Sequence, residues 1–238
     1  MSLPLVLLGF LQSQNYPDFQ VLHLDSPQSS PLLLHTMSEQ DRFMAIIDSN
    51  LDVQWHVSSS HMGLDFKVNQ NHLSYYNKLE GSWILANQVM KEIDTLRCEG
   101  TVVADYHDIQ ILENGNYILQ AYDSIFVDMS TIVDGGQPVT WIKGILVIQM
   151  FDINDELISE WNAWDHLDIS QYTNLNLESN AIAWMHGNSV EWDDNNQILV
   201  SNRASNEILK IDLQSGEVLW HIGGPLNPVS YTHLTLPT

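Results

Sequence analysis

Two short units alternate along this chain, and together they leave little room for any fold but repeated β-sheets. The first has the form strand, polar turn, strand, tryptophan: MAIIDSNLDVQWHV (Met44–Val57), VIQMFDINDELISEW (Val147–Trp161) and ILKIDLQSGEVLWHI (Ile208–Ile222). Asp, Asn, Ser and Gly at the joints tolerate the positive φ that tight hairpins require. The apolar runs between them are short and rich in Ile, Val, Tyr and Trp, as strands are. Each returning strand ends near Trp55, Trp161 or Trp220, which the pattern places between neighbouring sheets. The second unit opens with histidine: HMGLDFKVNQNHLSYY from His61, HDIQILENGNYILQAY from His107 and HGNSVEWDDNNQILVS from His186. Each carries a strand, an Asn- or Asp-rich turn and another strand. Asn114-Gly115 reads as a hairpin turn. So does Asp193–Asn196, which resembles a calcium loop only superficially because the Gly and the distal bidentate Glu are missing.

Joined, the two units make a four-stranded antiparallel sheet. One such sheet cannot bury both of its faces, so copies must stack, and stacking around an axis gives a β-propeller. The expected fold is all-β, an incomplete β-propeller of about three to four blades, occupying residues 1–228 as one domain. A β-sandwich is the alternative. Long helical periodicity is absent, and the best helical candidate is the short acidic run Asp168–Ser179. The last ten residues, Val229–Thr238 (VSYTHLTLPT), abandon the pattern after a Gly-Gly-Pro turn. They match what one reading frame of a common sequencing adapter would encode, so residues 229–238 are expected to be a non-native tail.

A hydrophobic fraction of 44% supplies enough apolar surface for a sizeable core. Charge excludes one class of function. Eight Lys and Arg stand against 30 Asp and Glu, a formal net charge of -22, and no basic cluster exists to hold nucleic acid. Any anionic ligand must be gripped locally, and the chain has only three arginines to do it. The single cysteine, Cys98, allows no internal disulfide and no thiolate metal centre. Leu3–Leu11 is apolar but too short to span a bilayer, and it lacks the basic start and small-residue end of a signal peptide.

One histidine heading a strand is ordinarily structural. Three at the same repeat position are candidates to line a common polar channel, since the innermost strand of each blade begins near the propeller axis. Residue chemistry alone carries the reading no further.

A run of longer motifs does. DYHDIQILENGNYILQAYD (Asp105–Asp123), VDMSTIVDGG (Val127–Gly136), EWNAWDHLDI (Glu160–Ile169) and MHGNSVEWDDNNQILVSNRASNEILKIDLQSGEVLWHIGG (Met185–Gly224) follow one another. In order and spacing they resemble the PAPS-independent arylsulfotransferases (aryl-sulfate sulfotransferases), especially the secreted bacterial members, from about Phe43 to Pro228. That resemblance implies a six-bladed propeller that moves a sulfuryl group from a phenolic sulfate ester to a phenol. The reaction would pass through a sulfated histidine and use no nucleotide donor, cofactor or metal.

Carried over residue by residue, the resemblance gives His107 a place in the sulfate site, makes His186 and Asn188 the H-x-N pair, and makes Arg203 the cation on the sulfate. It implies an extracytoplasmic location, periplasmic or secreted. It also implies a nucleophilic histidine on a later blade. His221 matches a hairpin end and is expected at the rim or surface, and His233 lies in the suspected tail, so this chain is expected to hold part of the sulfate cradle without the nucleophile. His166 is expected to fix a loop under Trp161 and Trp164. A non-catalytic propeller that binds a ligand on its channel face, and a metal-dependent lyase or hydrolase, remain the competing readings.

Overall fold

A computed structural model describes residues 19, 20, 22, 30–37, 42–59 and 62–227. His61 and the tail Val229–Thr238 therefore lie outside the described residues. The chain gathers into two compact units, Met1–Arg97 and Cys98–Thr238.

In the first unit, β1 (Leu32–Met37), β2 (Arg42–Ile47) and β3 (Val53–Ser58) form an antiparallel three-stranded sheet in chain order. Next come β4 (Met62–Asn69), β5 (His72–Asn77), β6 (Ser82–Ala86) and β7 (Glu92–Leu96), a four-stranded meander. Trp55 on β3 meets Phe66 on β4 with ring centroids 6.4 Å apart, and Phe66 meets Tyr75 edge-on. The tryptophan that closes the first hairpin thus packs between sheets, as its sequence position predicts.

The second unit holds all four candidate site residues, His107, His186, Asn188 and Arg203. Its first sheet runs β8 (Val103–Ile111), β9 (Tyr117–Val127), β10 (Thr140–Phe151) and β11 (Leu157–Asn162), all antiparallel neighbours. A short strand, β12 (Ala181–Ala183), adds to β10 in parallel. Its second sheet is the meander β13 (Gly187–Asp193), β14 (Gln197–Asn202), β15 (Glu207–Asp212) and β16 (Val218–Gly223). The fold is all-β, and these chain-order meanders are the sheets from which propeller blades are made.

Local chemistry fixes the turns. In Asn114-Gly115, Gly115 takes φ 86° and the Asn114 side chain accepts from the Asn116 amide at 3.0 Å. Asn195 and Asn196 take φ 64° and 61°, left-handed backbone inside the three-residue loop that joins the paired Asp193 and Gln197, so Asp193–Asn196 is the turn between β13 and β14. Residues 145–151 of β10 are all buried, because that strand is covered on both faces. Ile198, Val200, Leu209 and Ile211 face the same core, which Trp161, Tyr172 and Trp184 also enter.

One expectation needs correction. Asp168–Ser179 is not a helix: it contains only a 3-10 turn at Ile169–Gln171. Its Asn, Ser and Thr residues bond their own backbone in competition with a helix, and Asp168 spends its carboxylate on the Ser170 amide and hydroxyl. The one α-helical turn among the described residues, α1 (Ala163–His166), comes earlier and is capped by Asn162, which accepts from the Trp164 amide at 2.9 Å. His221 is expected at the rim or surface. It is half-buried, with Nδ1 3.1 Å from a carboxylate oxygen of the buried Glu207.

Candidate functional site

The site begins with an irregularity in β8. Ala104 pairs with Ala121 and Ile109 with Leu119, so the four residues Asp105–Asp108 bulge out opposite the single residue Gln120. A bulge of this kind re-aims side chains and interrupts the ladder. Here each displaced group is caught. Asp105, 7% exposed, accepts from the His107 amide at 2.9 Å and meets the His107 ring at Nδ1 at 2.6 Å, both through one carboxylate oxygen. The same oxygen accepts from the Gln120 side-chain amide at 3.3 Å. Asp108 accepts from the Val190 amide at 2.9 Å, tying β8 to β13 in the adjoining sheet.

His186 arrives from the other side. After β12, the Trp184 and Met185 amides donate to the Lys143 and Gly144 carbonyls, prolonging the pairing with β10 up to the residue before His186. That approach depends on Gly144, which sits in a bulge of β10 at φ 70°. A Cβ at this position would stand 2.7 Å from the Met185 carbonyl oxygen. Gly144→Ala is therefore expected to cost about 1–3 kcal/mol from the left-handed backbone alone and to displace His186. Urea denaturation should show the lost stability, and the His186 ring signals should move with it.

The two imidazoles meet edge to face, with centroids 4.6 Å apart and Nε2 to Nε2 at 3.2 Å. Tyr106 stacks on His107 at 4.2 Å, and Tyr122 lies over His186 at 6.1 Å. The Tyr122 hydroxyl donates to the Gly187 carbonyl at 2.9 Å. Burial first, and then the neighbouring Asp105 carboxylate, push its ionisation well above the ordinary phenol range, so it remains a donor.

Arg203 belongs to the same place. Its amide donates to the His186 carbonyl at 2.8 Å, one rung beyond the Gly187–Asn202 pair. Its side chain is exposed, and its charge is felt at both His186 and Tyr122. Burial chiefly, then the positive fields of His107 and Arg203, lower the His186 pKa; Asp105 opposes them. Asn188 occupies a bulge of β13 and is half-buried. Among the described residues, no hydrogen bond ties its amide to either ring. The chain thus brings His107, His186 and Arg203 together and sets Asn188 beside them.

Asp105 and Gln120 were not anticipated as part of this cluster. The D-x-H spacing was a signal for the first, and nothing local marks the second. His166 stacks flat on Trp161 at 5.5 Å and packs on Gly216, as a loop-fixing residue would. It also borders a cavity of about 450 Å³ with Asp168, Glu217 and His221. Burial, and then Glu160, push the Cys98 thiol up to about 12.

An imidazole pair beside a guanidinium can accept a proton, donate one, and hold an oxyanion. Comparison with known proteins bears on which of these is used. The family described as Arylsulfotransferase (ASST) matches residues 20–228. No curated protein matches the chain. Among solved structures it is similar to a protein of unknown function from Bacteroides caccae, with 13% identity and a TM-score of 0.45 over 83% of this chain and 58% of that one. It is also similar to the Pan2 WD40 domain of Neurospora crassa, with 10% identity and a TM-score of 0.44 over 82% and 47%. BamB from Moraxella catarrhalis matches at 8% identity and a TM-score of 0.41 over 82% and 50%. The chain spans about half the length of these structures.

Proposed function

The chain belongs to the arylsulfotransferase family, and from that premise we propose that His107, His186, Asn188 and Arg203 cradle a sulfuryl group in transit between two phenols. The observation that carries this reading is the 3.2 Å approach of the two imidazoles, with Arg203 one rung from His186. Sulfuryl transfer, like phosphoryl transfer, concentrates negative charge on peripheral oxygens, and catalysis consists largely of meeting that charge with fixed donors. Arg203 offers a planar fork that stays charged. The imidazoles can protonate the departing phenolate and take the proton of the incoming phenol.

In the finer version of this reading, a further histidine outside the cradle attacks the sulfur. Its nitrogen–sulfur bond forms as the aryl oxygen–sulfur bond breaks, and the phenolate leaves with a proton. The acceptor phenol then attacks the same sulfur, breaks the nitrogen–sulfur bond and surrenders its proton. The family also suggests a location outside the cytoplasm. No helix among the described residues is long and apolar enough to cross a membrane.

Titrating the chain with inorganic sulfate and with 4-nitrophenyl sulfate tests the cradle. Ring signals of His107 and His186 should shift together in a saturable way; no shift with either ligand removes the reading. Release of nitrophenolate in the presence of phenol tests the division of labour. Steady turnover that survives replacement of every histidine other than His107 and His186 would overturn the assignment of the nucleophile to a third histidine.

The affinity should also depend on pH in a defined direction. His186 has its pKa lowered in the folded chain, so it is neutral where an ordinary histidine is already titrating, below about 6.5. A bound dianion favours the imidazolium, so binding takes up a proton. Sulfate should therefore bind more tightly as the pH falls from about 6.5 through the lowered value, by at most about tenfold per pH unit for one proton. Calorimetric titration in buffers of different ionisation heat would measure that uptake. The same shift makes folding less favourable on that side, because the unfolded chain binds the proton that His186 refuses.

A further inference from the structure

Asp105 lies behind His107, away from the meeting point of the two rings, and its contacts determine which nitrogen of His107 carries a proton. A single carboxylate oxygen of Asp105 already accepts from the His107 amide and from the Gln120 amide. At 2.6 Å from that oxygen, His107 Nδ1 can only be a donor. His107 Nε2 is thereby left to face His186 Nε2 at 3.2 Å. Two N–H groups cannot point at each other over that distance, and two lone pairs would gain nothing, so one proton lies between the rings. Gln120, fully buried, holds Asp105 in place and reaches toward the Gly187 carbonyl at 3.5 Å, which links the β8 bulge to the segment that carries His186.

We propose that Asp105 is a positioning residue which fixes His107 in the Nδ1–H form, so that the His107–His186 pair shares one Nε2 proton and passes it to an anionic oxygen entering between the rings. In sulfuryl transfer that oxygen belongs to the departing phenolate, and the pair gives up the proton from its singly cationic form, each ring also protonated at Nδ1, which leaves two neutral imidazoles. The oxygen–hydrogen bond forms as the nitrogen–hydrogen bond breaks, and the acceptor phenol later restores the proton to the same pair. The arrangement follows the logic of any carboxylate that orients an imidazole for proton transfer. Its first half, the tautomer, stands independently of the sulfuryl-transfer reading; its second half, the hand-over, rests on it.

Nitrogen-15 correlation spectra of the imidazole rings in the intact chain test the first half without any substitution. His107 is expected to show a protonated Nδ1, and one proton is expected to couple to Nε2 of both rings. A bare Nδ1 on His107 would overturn the proposal. Asp105→Ala adds a second test, because it removes the acceptor that faces Nδ1. His107 should then populate the Nε2–H form, with the proton between the rings fixed on His107 Nε2, and sulfate affinity should fall about tenfold or more, comparable to losing one charge-assisted hydrogen bond. A role confined to stability would lower the denaturation midpoint yet leave the tautomer unchanged, and that result also overturns it. Should Asp105→Ala not fold, the wild-type spectra still decide. If they show the expected tautomer while sulfate fails to bind, the hand-over is refuted and the positioning role remains.

Discussion

Where a further histidine supplies the nucleophile, replacing Arg203 with alanine is expected to slow transfer from an aryl sulfate by about a hundredfold or more, the usual consequence of deleting one fixed donor to a transition-state oxyanion. The physical basis is local. The chain carries a net charge of -22, so an anion gains nothing from the protein as a whole. The field at His186 nevertheless contains a positive contribution from Arg203. Removing it should weaken sulfate binding and, by relieving the repulsion, let the His186 pKa rise towards its ordinary value. Arg203→Lys should restore the charge but only part of the rate, because an ammonium lacks the two-pronged geometry that matches a pair of sulfuryl oxygens. Sulfate titrations of each variant, with initial rates on 4-nitrophenyl sulfate and phenol where turnover is present, provide the comparison. Equal sulfate affinities for wild type and Arg203→Ala would remove Arg203 from the cradle.

Replacing Trp161 with alanine is expected to cost about 3–5 kcal/mol of stability, the range for deleting a large buried aromatic. Trp161 is 1% exposed and lies on β11, yet its indole nitrogen donates to the Gly216 carbonyl at 3.0 Å in the next sheet. Beside it, the Ser159 hydroxyl donates to the Leu213 carbonyl at 2.9 Å. The tryptophan therefore fastens two sheets by packing and by a hydrogen bond at once. Trp161→Phe separates the two contributions. It keeps most of the buried ring but leaves the Gly216 carbonyl unpaired, so its loss should be nearer 1–3 kcal/mol. Denaturant midpoints of both variants would reveal the order. His166, which stacks on Trp161, should also become more exposed in Trp161→Ala.

The strands and hairpins were legible because their causes are local. Asn114-Gly115 and Asp193–Asn196 turn the chain wherever they occur, since the residues themselves favour the left-handed backbone. Trp55 and Trp161 could be assigned between sheets because each ends a returning strand and has no other apolar partner of its size in the unit. Asp168–Ser179 misled for a related reason. A run of mixed polar and apolar residues has helical spacing by accident, while its Asp and Asn side chains prefer to bond the nearest amides.

The candidate site divides along the same line. Motif order singled out His107, His186, Asn188 and Arg203 as one group of candidates. That His107 and His186 would touch was not, because the contact depends on two bulges and one glycine. The Asp105–Asp108 bulge opposite Gln120 and the Gly144 bulge beneath Met185 are decided by how two sheets fit against each other. By itself, the sequence determined an all-β repeat with turns at fixed places, since hydrogen-bonded hairpins form from neighbouring residues. Tertiary structure alone decided which oxygen holds His107 and which nitrogen faces His186. Those are angstrom-scale distances between residues far apart in the chain, and only packing brings them together.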